Sequence, residues 1–149
     1  SGTFLTPSLL FPREMMTVMA GHPFAEAMRE PWDQMAAILP RASAAGVKLL
    51  VGDDYGAFTL NHGRYGEELE LYVRDCGVPA LDVIRWATKN GAEAMGMGSE
   101  TGTVEPGKLA DLLVVEGDPS ADIGLLKDRA NLLAILKGGV LVKDGLGRP

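Results

Sequence analysis

Apolar and polar positions alternate in two textures along this chain, with helix-like spacing in its first two thirds and short β-prone runs between turns in its last third. Thr3 to Leu5 is an apolar run stopped by Pro7, whose fixed φ and missing N–H are tolerated at the end of a strand but not in its middle. A strand leading into a loop is predicted there. Met15, Met16 and Met19, with Phe11 just ahead of them, lie in a stretch bracketed by Pro12 and Pro23 that reads as a loop whose methionines fill gaps in a core. Trp32, Met35, Ala36 and Leu39 recur at i, i+3, i+4 and i+7, one face of an amphipathic helix, with Pro31 in its first turn and Pro40 kinking or dividing it. Gly46 is a natural stop, and Val47 to Val51 follow as a buried, parallel strand.

After a loop from Gly52 to about Gly66, Leu69, Tyr72, Val73 and Cys76 mark a second helical face closed by Gly77. A third helix opens at Pro79, carries Ala80, Val83, Ile84 and Ala87 on its apolar face, and ends at Asn90-Gly91. Beyond Gly96 the texture changes. Glu105-Pro106-Gly107-Lys108 has the residue chemistry of a type II turn ahead of a strand from Leu112 to Val115, and Glu116-Gly117-Asp118-Pro119 is the next turn. Gly138-Gly139 joins Leu133–Leu136 to Val140–Val142 as a two-residue hairpin of the primed type. The layout is an α/β unit followed by a small antiparallel element.

Composition narrows the classes of partner. A net charge of −6 with scattered Lys and Arg carries no basic stripe for nucleic acid or an anionic membrane, so a small molecule or another chain is the expected partner. No apolar run approaches the roughly 18 to 20 residues that span a bilayer. The single cysteine, Cys76, allows neither an intrachain disulfide nor an all-cysteine metal site, which suits a reducing, cytoplasmic setting. The opening Ser1-Gly2-Thr3 lacks an initiator Met and reads as an expression scar or the cut end of something longer.

Candidate chemistry concentrates in Gly52-Asp53-Asp54-Tyr55-Gly56, directly after the buried strand, because strand-to-helix loops converge on a ligand at that end of parallel sheets and barrels. A carboxylate there can ligate a cation or take a proton from water. On local pattern alone Asp53 and Asp54 serve equally well as turn-forming or capping residues. His62, in Asn61-His62-Gly63, either faces the same pocket or is an exposed loop histidine, and His22 beside Pro23 has no better claim. Neither has the spacing of a metal motif. Gly96 to Gly102 is glycine-rich but follows a helix, and reads as a linker.

The run Gly102-Thr103-Val104-Glu105-Pro106-Gly107-Lys108-Leu109-Ala110-Asp111-Leu112-Leu113-Val114-Val115, followed by Gly117-Asp118-Pro119, resembles the C-terminal signature of the amidohydrolase superfamily. Ala87-Thr88-Lys89-Asn90-Gly91-Ala92 resembles that family's A-T-x-N-x-A helix end, Lys137 to Val142 its closing hairpin, Gly52-Asp53-Asp54-Tyr55-Gly56 the G-[ST]-D-x-G after its eighth barrel strand, and Thr6-Pro7-Ser8-Leu9 the P-T-L at its seventh. The likeness covers essentially the whole chain and is nearest to the imidazolonepropionase-like and prolidase-like branch. It implies an α/β fold made of the last two strand-helix units of a TIM-like barrel, residues 1–98, followed by a β-rich part of a composite β-sandwich domain, residues 99–149.

The resemblance also implies an activity. It makes the chain part of a metal-dependent hydrolase that cleaves an amide-like C–N bond, in a peptide, urea or cyclic amide, with a metal-activated water. Asp54 would be the ligand and proton shuttle and His62 a substrate contact; the cofactor would be one or two divalent ions, zinc as the first expectation. Asp53 departs from the family's Ser or Thr and leaves the choice between the two acids open. The family's other metal ligands have no counterpart here, and a full barrel needs about 250 residues. The chain alone is therefore expected to be inactive and to need an N-terminal barrel segment or self-association. The alternative is a catalytically incompetent module for assembly or binding.

Overall fold

Two strands and the long excursion between them organise the first half of the chain. In the computed structural model, which describes residues 2–52, 54–56 and 60–147, β1 (Phe4–Leu5) pairs in parallel with β2 (Lys48–Leu49), Phe4 opposite Lys48 and Leu5 opposite Leu49. The Leu50 N–H adds a last rung to the Leu5 carbonyl at 2.9 Å. The apolar run Val47 to Val51 is longer than the strand it forms, because β1 offers only two residues to pair with. Crossing from β1 to β2 takes two helices, α1 (Leu10–Val18) and α2 (Pro23–Ala44).

The segment read as a methionine-rich loop is thus a helix. Pro12 does not prevent it, since it lies in the first turn, where backbone N–H groups have no helical partner to lose. Leu10 and Met15 face the core. α2 likewise begins a full eight residues before Pro31, at Pro23, with the His22 Nδ1 accepting from the Phe24 N–H at 3.1 Å as the cap. It runs on through Pro31 and Pro40, each of which removes one helical hydrogen bond without ending it.

α3 (Tyr65–Arg74) follows the loop after β2, and Gly77 closes its end at φ +73 as the pattern required. The third predicted helix is α4 (Ala80–Arg85), but it passes through a π-helical turn at Trp86–Asn90 and continues as α5 (Gly91–Ala94) instead of stopping at Asn90-Gly91. The wider turn accompanies a buried hydrogen bond from the Asn90 side chain to the Leu49 carbonyl at 2.8 Å. Leu39, Leu49, Leu60, Tyr72, Val83 and Trp86 belong to the buried core, with the Tyr72 and Trp86 rings edge to face at 5.4 Å between centroids.

The tail matches its pattern closely. Gly107 sits at φ +88 with the Lys108 N–H bonded to the Glu105 carbonyl, as a type II turn demands, and Gly138 and Gly139 both have positive φ, as a type I′ hairpin demands. β3 (Leu112–Val115), β4 (Leu132–Lys137) and β5 (Val140–Asp144) form an antiparallel sheet in that order. The tail docks on α3 through a short 3₁₀ turn, Ile123–Lys127: Ile123 is buried in the core, and a Cβ on Gly66 would lie 2.6 Å from the Leu126 carbonyl oxygen. Only glycine permits that approach of two backbones.

Candidate functional site

The carboxyl ends of β1 and β2 are bound together by side chains from α3. Gly52 follows β2 so closely against the chain leaving β1 that a Cβ there would lie 2.3 Å from the Pro7 carbonyl oxygen. The Tyr72 hydroxyl, fully buried, donates to that same carbonyl at 2.9 Å and accepts from the Gly52 N–H. One turn earlier on α3, the Glu68 carboxylate is also fully buried. It accepts from the Leu9 N–H at 2.8 Å and the Leu10 N–H at 2.6 Å, at the start of α1, which has no side-chain cap of its own. Two charge-assisted bonds to the amino end of a helix satisfy donors that the helix itself leaves open. Burial, with the Glu68 charge next, pushes the Tyr72 hydroxyl pKa far up, so it remains a proton donor.

Asp54 stands two residues beyond Gly52, exposed, with φ at +51. Among the described residues it is the non-glycine residue held in the left-handed region, a conformation Asp tolerates better than most. The Gly56 N–H then bonds the Leu60 carbonyl at 2.8 Å and closes the loop. Asp53 lies outside the described residues.

His62 is brought into the same loop. Its Nδ1 is 3.1 Å from the Tyr65 hydroxyl, its ring lies 6.1 Å from that of Tyr55, and Tyr55 meets Tyr65 edge to face at 4.7 Å. Arg64 fastens the loop to the helices on either side through Glu14 and Glu67, and those two carboxylates raise its pKa further, keeping it charged. His22 is the cap of α2, as described. Cys76 is a buried thiol whose pKa burial pushes up to about 11, which leaves it un-ionised and inert near neutral pH.

Among the described residues no group of three or more His, Cys, Asp and Glu side chains converges to hold a metal ion. Asp54 supplies a single exposed oxygen donor, which fits one position in a metal site but does not make one. Sequence reasoning passed over Glu68, and took Tyr72 only as part of an apolar helix face and Asn90 only as a helix end. The available signal was a glutamate one helical turn before Tyr72, inside an apolar stripe, where an unpaired charge is not tolerated.

A parallel strand pair with connecting helices, and a carboxylate just past the strand end, are the local arrangement of a barrel-type α/β fold with its site at the strand ends. Residues 2–142 match the amidohydrolase family, and the chain belongs to it. It is 34% identical over 85 residues to a 5-methylthioadenosine/S-adenosylhomocysteine deaminase of Syntrophobacter fumaroxidans, covering 52% of this chain and 19% of the relative. It is 42% identical over 48 residues to the imidazolonepropionase of Picrophilus torridus, covering 32% of this chain and 12% of the relative. Among solved structures, a Xaa-Pro dipeptidase with methionine bound in its active site superposes with a TM-score of 0.78 at 29% identity, covering 95% of this chain and 35% of that one. The chain therefore spans a small part of its relatives' length and carries part of a TIM-barrel-type hydrolase fold. Its likeness within the family runs to the imidazolonepropionase-like and prolidase-like members. No helix among the described residues is long and apolar enough to cross a membrane.

Proposed function

We propose that this chain is the C-terminal portion of a metal-dependent amidohydrolase that cleaves an amide-like C–N bond in a peptide, urea or cyclic amide. Residues 1–98 would complete the barrel wall with its last two strand-helix units, and residues 99–149 would contribute to a β-sandwich domain. The single observation that carries this reading is the exposed Asp54 carboxylate, held at φ +51 just past β2 in a chain of the amidohydrolase family.

Asp54 would serve as one ligand of a divalent metal, zinc as the first expectation, which supplies Lewis acidity toward the water and the scissile carbonyl. The other ligands would come from barrel strands outside residues 1–149. Asp54 accepts a proton as the water O–H bond breaks and the C–O bond forms, then returns it to the nitrogen as the C–N bond breaks. His62, tethered to Tyr65 through Nδ1, would present its ring to the substrate. The partners of this reading are a small amide-like substrate and the remaining barrel segment or a second copy, in the cytoplasm.

The test is made on the complete enzyme carrying this segment. Elemental analysis is expected to find bound divalent metal, and Asp54→Asn is expected to lower kcat by about 10²–10⁴-fold. An Asp54→Asn enzyme with full metal content and full turnover would refute the assignment. A complete, folded protein that neither binds metal nor hydrolyses amide substrates would favour the assembly module instead.

A further inference from the structure

We propose that Tyr72 is a positioning residue for Asp54: its hydroxyl locks the ends of β1 and β2 together and so sets the turn that presents the Asp54 carboxylate. This rests on the function proposed for Asp54. The parallel ladder reaches its last rung at Leu50 N–H to the Leu5 carbonyl. Beyond it, the Tyr72 hydroxyl carries the link, donating to Pro7 at 2.9 Å on one side and accepting from Gly52 on the other. Packing alone does not explain a hydroxyl at this place. The edge-to-face contact with Trp86 is made by the ring, which phenylalanine would supply as well, and a buried hydroxyl is retained only against a desolvation cost.

The residue that needs this anchor is Asp54. A left-handed conformation in a residue with a Cβ persists where its surroundings over-determine it. The Tyr72–Gly52 bond fixes the chain on the amino side of Asp54, and the Gly56–Leu60 bond fixes it on the carboxyl side. Glu68 reinforces the first of these anchors, because its carboxylate accepts from the Leu9 and Leu10 N–H groups that follow Pro7, one helical turn from Tyr72. Asn90 holds β2 itself at the Leu49 carbonyl. The strand that carries Asp54 is thus gripped from α3 and from the π-helical turn at once.

Tyr72→Phe in the complete enzyme keeps the ring and deletes the link. Metal affinity, measured by competition with a chelator, is expected to weaken by about 10–100-fold, as when a group that orients a ligand is lost. A similar fall is expected in kcat with KM changed less than about threefold, the pattern of lost positioning at the reacting centre without lost substrate binding. Amide exchange at Gly52 is expected to accelerate at least tenfold. Trp86→Phe is the control for loosened packing at the same ring. If it weakens metal binding and kcat as much as Tyr72→Phe at equal loss of stability, or if Tyr72→Phe keeps wild-type metal affinity, the proposal is overturned. Should Tyr72→Phe fail to fold, Gly52 amide protection in the wild-type protein decides: protection well above that of exposed loop amides supports the link, and none overturns it. A wild-type enzyme without metal or activity would instead refute the function proposed for Asp54, and the Gly52 amide would still report on the link.

Discussion

Replacing Glu68 with glutamine keeps the side chain's size and removes its charge at a position with no exposure to solvent. The carboxylate accepts from two N–H groups, Leu9 at 2.8 Å and Leu10 at 2.6 Å. An amide has one acceptor oxygen and turns an NH₂ toward the other donor, so one N–H at the start of α1 is left facing a donor. A buried donor without a partner costs about 1–3 kcal/mol, and the surviving bond loses its charge-assisted increment of about 1 kcal/mol. A net destabilisation of about 3 kcal/mol follows. With a urea slope of about 2 kcal/mol/M for a domain of this size, the midpoint is expected to fall by about 1.5 M with little change in slope. Urea titration followed by far-ultraviolet circular dichroism measures it, and amide exchange at Leu9 and Leu10 localises it. Glu26→Gln is the comparison, because Glu26 reaches Arg29 at 3.6 Å with both side chains more than half exposed and contributes under about 1 kcal/mol. If Glu68→Gln unfolds within about 0.5 kcal/mol of wild type, Glu68 is not the cap of α1 and the reasoning fails.

Gly52→Ala places a methyl group 2.3 Å from the Pro7 carbonyl oxygen and forces the ends of β1 and β2 apart, so a loss of about 2–3 kcal/mol is expected in the same titration, against little effect from Gly2→Ala, whose surroundings are open and whose φ lies outside the left-handed region. Asp111 gives a pH dependence. The Lys137 ammonium first, and the Gly138 N–H second, hold its carboxyl below the usual range, so its contribution is present above the unfolded pKa of about 4 and is lost as pH falls through the lower folded value. Acid titration of wild type and Asp111→Asn is expected to show the wild type losing its advantage below about pH 4; parallel curves would contradict that pairing.

Local chemistry was legible wherever a residue type forced a backbone conformation or a face. Pro106-Gly107 announced a type II turn, Gly138-Gly139 a type I′ hairpin, Gly77 a helix end, and Leu69, Tyr72, Val73 and Cys76 a buried stripe, and each is found in place. Proline was harder to read. Pro12 and Pro23 look like the brackets of a loop, yet each stands in the first turn of a helix, where its missing N–H removes nothing. Whether such a segment folds as a helix depends on what covers its open amino end, and for α1 that is Glu68, a residue 58 positions away from Leu10.

Short-range residue chemistry and one long ordered motif were enough to point to the family, to place the strands and turns of the tail, and to mark the Asp53-Asp54 pair after β2 as the acids of interest. What holds Asp54 in its turn emerges from packing between distant parts of the chain. Glu68, Tyr72 and Asn90 are far from Pro7, Leu9 and Leu49 along the chain, and their polar groups meet only once α3 and the π-helical turn have packed against β1 and β2. A buried hydrogen bond between distant residues leaves no periodic trace, and what it leaves in the sequence is a polar residue set in an apolar stripe.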